Sequence, residues 1–226
     1  MSYKLQFAEL LPYWNVLLYG LVFTIVLTVV STVAGIAVGT AGASARTFGP
    51  AWLGRIVAVY VELIRNTPFI VQLFFVFFGL PSLGVKLTPE IASVIAMVVN
   101  LGAYAAEIAR AGIEGTPRGQ IEAARSLALT EAQVFVRVVL PPALARVWPA
   151  MTSQIIIVML GSAVCGQIAT QELSYYANLI QSRNFRAFEA YIIATGIYLA
   201  LAFALRQALF WAGPRFVFGR VAGTRR

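Results

Sequence analysis

The sequence predicts an all-α membrane protein, a bundle of five helices crossing a bilayer, and three observations carry that reading. Of the 226 residues 60% are hydrophobic and 12% charged, with a mean hydropathy of +0.81, whereas soluble domains average roughly 25% charged. Uncharged runs recur along the whole length instead of supplying one compact core. None of them alternates with the period of two that a closed barrel needs, which leaves helices as the spanning form.

A hydrocarbon core about 30 Å thick takes roughly 20 apolar residues of helix. Five segments meet that length: 16–43, 56–79, 88–109, 147–170 and 190–212. Turn-forming stretches such as FGPAW and LPSLGVKLTP separate them. No basic stretch followed by a short apolar core and a small-residue cleavage site opens the chain, so the first apolar run is expected to be the first span. One membrane domain over 1–226 is the simplest organisation.

Orientation follows from the loop charges, since Lys and Arg favour the cytoplasm. Arg46, Arg55, Arg110, Arg118, Arg125, Arg137, Arg146, Arg206, Arg215, Arg220, Arg225 and Arg226 fall on one side, while Lys4, Lys86, Arg183 and Arg186 fall on the other. The first side is therefore expected to be cytoplasmic, with the N-terminus outside and the C-terminus inside. The net charge of +8 is then a matter of topology and leaflet attraction. Nucleic-acid binding is the weaker reading, because the arginines are scattered along one rim.

Catalysis has little to work with. There is one cysteine, no histidine and no aspartate, so metal sites and Ser-His-Asp chemistry lack their usual residues. No GxxxxGK[ST] stretch is present to cradle phosphates. Neither enzyme activity nor a bound metal is expected.

The first span carries Gly35 and Gly39 in a GxxxG that permits close helix approach; packing within the bundle is favoured over a dimer contact. The second span holds Glu62 and Arg65, three residues apart and able to pair on one helical face. A buried membrane charge costs at least about 2.5–3.5 kcal/mol and so seeks a partner or a watery cavity. Pro68 should free a carbonyl near residue 64 and bend the helix. Asn66, Thr67 and Gln72 add polar groups there, and the third span contributes Asn100, Tyr104 and Glu107. Two readings stay open. These residues line a solute passage and its gate, with Arg65 meeting a carboxylate and a glutamate an ammonium, or they form a brace between spans two and three. For Glu107, beside Arg110, a gate or brace is favoured. Phe74, Phe75, Phe77 and Phe78 face lipid or pack, and 171–190 forms a short external helix and loop.

Between spans three and four lies GQIEAARSLALTEAQVFVRVVLP, residues 119–141, and a helix is expected over about 118–130, its start punctuated by Gly115, Pro117 and Gly119. Ile121, Ala124 and Ala128 share one face, with small residues that let another surface approach. A helix lying on lipid headgroups is the alternative, although alanines stand where such anchors carry bulky apolar groups.

This segment resembles the EAA motif of the transmembrane subunits of binding-protein-dependent ABC importers. Glu122, Ala123, Ala124, Leu140 and Pro141 carry the likeness, with Gly119 and Leu127 in the same stretch. YVELIRNTPFIVQLFF at 60–75 and GAYAAEIARAGIEGTPRGQ at 102–120 are similar to other motifs of the polar amino acid permease subfamily, and the likeness runs from Gly20 to Phe218. The resemblance implies a type I importer permease in a bacterial cytoplasmic membrane. Two such subunits pair, each docks its EAA helix on an ATPase subunit of a dimer that binds ATP and Mg, and an external solute-binding protein delivers a polar amino acid. The chain itself is expected to bind no cofactor. An ion-gradient-driven secondary transporter is the alternative, disfavoured by five spans without an inverted repeat.

Two departures stand out. Ala128 occupies a place where the motif usually has glycine; if that site needs positive φ it costs on the order of 1 kcal/mol, or else the helix runs one turn further. Relatives carry Lys-Asp-Thr-Ser-Leu in the fourth span, whereas MLGSAV at 159–164 keeps only Ser162. A heterodimer whose other chain retains the polar residues is favoured over an apolar adaptation in a homodimer.

Overall fold

The structure, a computed structural model, describes residues 4–217. Phe218 and the arginines at 220, 225 and 226 counted above lie outside the described residues. A 3-10 turn, Phe7–Tyr13, leads into α1 (Trp14–Phe48); α2 (Ala51–Arg65) and α3 (Phe69–Ser82) follow, then α4 (Pro89–Glu114), α5 (Arg118–Ser126), α6 (Glu131–Ile168), α7 (Leu173–Asn184) and α8 (Ala187–Val217). Among the described residues there are no strands.

The packing starts from a stripe of small residues on α1. Gly35 faces Leu101 and Gly39 faces Ala105 on α4, so closely that a Cβ on Gly39 would come within 2.9 Å of the Ala106 nitrogen. Further along, Gly20 lets α7 cross, a Cβ there meeting the Leu173 Cα at 2.9 Å. The GxxxG is thus spent inside the bundle, as expected. Because 35 meets 101, 39 meets 105 and Arg46 meets Glu107, α1 and α4 run parallel. The chain between them must therefore return across the bilayer, which is the work of α2 and α3.

That return is not the bent but continuous span expected over 56–79. α2 and α3 meet at 110° across a break at residues 66–68. Pro68 has no N–H to donate, and its ring excludes a continuing helix. The four other long apolar helices are α1 with its 3-10 lead, α4, α6 and α8. α6 runs antiparallel to α4, since Arg146 donates to the Gly112 carbonyl at 3.0 Å and Thr170 to the Pro89 carbonyl at 3.1 Å. α8 runs back against α6, where Trp148 Nε1 donates to the Leu209 carbonyl at 3.0 Å. Counting the broken pair as one, the described residues hold five segments long and apolar enough to cross a membrane.

Most core clusters lie along α4, the most enclosed of the long helices, while a separate one joins Leu17 of α1 to Leu173, Ala177 and Ile180 of α7 and Ala190 of α8. Leu27, Leu73, Met97 and Leu101 form the largest, with Cys165 buried among them. Outward faces are apolar and uncovered: Val22, Val26, Val29 and Val33 on α1 are all at least half exposed, as lipid-facing side chains would be.

Candidate functional site

Two regions hold the residues singled out in the sequence. The first is a polar cavity of about 390 Å³ lined by Arg46, Ala58, Val61, Glu62, Arg65, Asn66, Tyr104 and Glu107. Its geometry corrects the expected Glu62–Arg65 pair. Arg65 sits in the last turn of α2 and turns to α4, where its Nη1 lies 3.9 Å from Glu107 Oε1 and its guanidinium rests 5.5 Å from the centre of the Tyr104 ring. Glu62 is exposed and has no ion pair among the described residues.

Glu107 is the hub. It accepts from Arg46 Nη1 at 3.0 Å and from Arg110 Nε at 3.2 Å and Nη2, while Arg110 also pairs with Glu114. Arg110 lies one turn along the same helix, while Arg46 reaches Glu107 from α1 and Arg65 approaches it from α2. Sequence reasoning treated Arg46 as a loop charge. Its signal was legible: Gly35, Gly39, Gly42 and Arg46 recur at three and four, so the arginine prolongs the stripe that faces α4.

Thr67, Gln72 and Asn100, for which the sequence left passage and brace open, hold the break by hydrogen bonds. Gln72 Nε2 donates to the Ile64 carbonyl at 2.8 Å, the acceptor that Pro68 leaves without its helical donor, and also to the Thr67 carbonyl at 3.0 Å and Thr67 Oγ1 at 2.9 Å. Asn100 Nδ2 in turn donates to Gln72 Oε1 at 2.9 Å. Asn66 Nδ2 and Thr67 Oγ1 donate back to the carbonyls of Glu62 and Leu63, at 2.8 and 2.9 Å. Beyond Asn100 lies a smaller hollow of about 80 Å³, walled by Phe69, Met97, Ile157, Val158 and Gly161. Ser162, the residue kept in MLGSAV, is buried and donates to the Met159 carbonyl at 2.7 Å. It presents nothing to that hollow.

The second region is α5 and its flanks. The helix ends at Ser126, earlier than the expected 130, because Ala128 adopts φ 57°. Of the two alternatives for Ala128, positive φ is the outcome. The Ala128 N–H bonds the Arg125 carbonyl at 2.9 Å and the Leu129 N–H the Ala124 carbonyl at 3.4 Å, a Schellman closure made without glycine. Thr130 then starts α6 with a capping box: its Oγ1 accepts from the Gln133 N–H and its own N–H donates to Gln133 Oε1 at 2.9 Å. The T-x-x-Q pattern was readable in the sequence and marks that start. Arg125 Nε and Nη2 fork onto Glu131 at 2.8 and 3.0 Å, and this carboxylate raises the guanidinium's pKa.

Gly119, Glu122 and Ala123 are exposed on α5 and Leu127, just past its end, is 77% exposed, while Ala124 is buried against Val134 and Val139. Beside them opens a groove of about 720 Å³ walled by Phe48, Ile113, Ile121, Arg125, Val134 and Phe135, among others. Leu140 and Pro141 lie past the groove, half-buried in α6.

The sequence also understated the other end. Within the expected 171–190 helix and loop, Glu172 and Glu189 are fully buried. Glu172 caps α7, accepting from the Ser174 and Tyr175 N–H groups at 3.0 and 2.8 Å and from Tyr198; burial raises its pKa against those bonds. Glu189 accepts from the Gln6 N–H at 2.9 Å. Glu172 stands immediately before the helical run, but glutamate is not among the usual N-cap residues, so its residue type did not signal the cap.

Parallel apolar helices, a broken one between them, charges clustered in a cavity at the break and a polar helix projecting from one end define an integral membrane protein of the transporter class. Residues 31–217 match the family described as binding-protein-dependent transport system inner membrane component. A probable glutamine ABC transporter permease protein, GlnM of Bacillus subtilis (strain 168), is 36% identical over 154 residues, covering 68% of this chain and 70% of that one. The glutamine transport system permease protein GlnP of Escherichia coli (strain K12) is 36% identical over 170 residues, covering 72% and 77%. A crystal structure of an amino acid ABC transporter with histidines superposes with a TM-score of 0.88 at 32% identity, over 94% of this chain and all of that one. An inward-facing MetNI methionine ABC transporter gives a TM-score of 0.68 at 25% identity, over 91% and 96%. The chain belongs to the inner membrane component family of binding-protein-dependent transport systems.

Proposed function

We propose that the chain is the membrane subunit of an ATP-driven importer that carries a polar amino acid, or a close derivative, into the cytoplasm of a bacterium. The observation that carries this reading is α5: a solvent-exposed polar helix bearing Glu122-Ala123-Ala124, closed at its C-terminal end by the Ala128 and Leu129 bonds and set beside an apolar groove. A rigid short helix transmits displacement; a frayed one absorbs it. An ATPase subunit of a dimer docks there and holds the ATP and Mg, while this chain binds no cofactor. The α5 end is cytoplasmic, in keeping with its arginines, and an external solute-binding protein delivers to the end formed by Gln6, α7 and Arg186.

The passage runs past the 390 Å³ cavity, where Glu62, Arg65, Asn66, Tyr104 and Glu107 are exposed to a solute, and past the break held by Thr67, Pro68, Gln72 and Asn100. A second permease chain closes it. Ile56, Val59 and Leu63 on α2 are more than half exposed beside Glu62, and a carboxylate facing lipid would cost at least about 2.5–3.5 kcal/mol. The relatives named for glutamine, cystine and methionine transport support an amino acid as cargo. The apolar walls of the smaller hollow favour a heterodimer whose other chain supplies polar groups there.

Glu122→Lys tests the reading. The variant should reach the membrane at normal abundance yet lose the co-purifying ATPase or its coupled transport; retained association with normal uptake would overturn it. Uptake in proteoliposomes should require ATP and the binding protein and survive collapse of ion gradients. Uptake that follows a proton gradient without ATP would establish the secondary-transporter alternative instead.

A further inference from the structure

Arg46 joins two features that the proposed function uses separately. Its guanidinium donates to Glu107 at 3.0 Å in the wall of the charged cavity. Its chain neighbours, Thr47 and Phe48, wall the groove beside α5, where the Phe48 ring meets Phe135 edge-on at 4.9 Å between centroids. One turn of helix therefore touches both the cavity and the groove.

The three arginines around Glu107 are held unequally. Arg46 and Arg110 make hydrogen bonds to the carboxylate, whereas Arg65 approaches only to 3.9 Å and makes none with it. The Arg65 side chain is 42% exposed, against 22% for Arg46. With three guanidiniums around one carboxylate, each weakens the hold of the others, and the loosest is also the most exposed of the three. An anionic group entering that cavity meets Arg65 first.

We propose that Glu107 and Arg46 form an occupancy latch, a charge exchange that reports a carboxylate-bearing solute in the cavity to the α5 groove. Arg65 turns from Glu107 to the solute's carboxylate, while Glu62, one turn earlier on α2 in the same cavity wall, offers its unpaired oxygens to the ammonium. Glu107, relieved of one competing cation, holds Arg46 more tightly and draws in the last turn of α1. The seat of Phe48 against Phe135 then depends on whether the cavity is filled. Arg46, committed to Glu107 by its hydrogen bond, acts through that carboxylate; it is a positioning residue. Linkage makes the effect reciprocal, so displacement of the groove by the ATPase changes the cavity's affinity for the solute by the same factor. The inference rests on the reading of the cavity as passage and of α5 as the coupling helix.

The test compares ATP hydrolysis by the reconstituted complex with solute-loaded and with empty binding protein, for wild type, Arg46→Gln and Arg46→Lys. A latch predicts that Arg46→Gln still assembles with the ATPase and hydrolyses ATP, while the ratio of loaded to empty rates falls by about fivefold or more, within the range of ordinary allosteric couplings. Arg46→Lys, which keeps the charge, should recover part of that ratio. An unchanged ratio in Arg46→Gln would overturn the proposal. So would failure of that variant to accumulate, or parallel loss of assembly and hydrolysis, since either makes Arg46 a structural brace. Failure of the underlying reading shows separately, as a wild-type complex with no solute-stimulated hydrolysis.

Discussion

Ala128 and Gln72 show how single residues set the geometry at the two ends of the proposed machine. Ala128 holds φ 57° at the end of α5, a conformation that disfavours any residue with a Cβ. Ala128→Gly should therefore stabilise the protein by about 1 kcal/mol, the relief of αL strain less the added freedom of the unfolded chain; thermal unfolding in detergent measures it. Gln72 plays the opposite part, supplying a donor where Pro68 removes one. Gln72→Leu leaves the Ile64 carbonyl and the Asn100 amide without their partner and should cost about 1–3 kcal/mol, lowering the midpoint in the same experiment. The sequence made the need for a donor near residue 64 legible, because proline's missing N–H is a local fact. It did not reveal that Gln72 meets the need, because eight residues and a sharp turn separate donor from acceptor. Arg65 is similar: its partner was sought three residues away on its own helix, but the broken chain aims it at Glu107 on α4.

At the scale of elements, apolar length located the helices well and their ends less well. The last helix, expected over 190–212, is α8 at Ala187–Val217, and the span expected over 147–170 continues a helix that begins at Glu131. Hydropathy reports what lipid accepts and is blind to helix that continues beyond it. The break between α2 and α3 was legible as a bend at Pro68 but not as 110°, since the angle is set by packing of Val61 and Leu73 into different clusters. The glycine stripe of α1 carries a sharper prediction. Gly39→Leu places a side chain into Ala105 and the α4 backbone and should cost about 1–3 kcal/mol or more, seen as loss of folded protein from the membrane. Gly196→Ala, whose new methyl meets no atom within 4 Å, should be neutral. Equal losses in both would show that the α1–α4 contact is not what the glycines serve.

For the whole molecule, the parallel course of α1 and α4 is the organising fact. It forces the return through a broken span, leaves charges at the break and carries α5 to the end where the arginines gather. Hydropathy and arginine placement made the crossings and the polar helix readable in advance; which helices are neighbours was not, because that depends on glycine contacts between residues some 65 apart in sequence. The central claim is mechanical: a separate ATPase drives this bundle through α5. Cysteine cross-linking tests it most directly, since the one native cysteine, Cys165, is buried and Leu127, at the C-terminal cap of α5, is 77% exposed. In membranes holding the assembled complex, Leu127→Cys should form a disulfide or short bifunctional link with cysteines introduced across the ATPase surface, with a yield that changes when ATP is added. A cysteine at 127 labelled only by lipid-soluble reagents, with no link to the ATPase in any nucleotide state, would contradict the account.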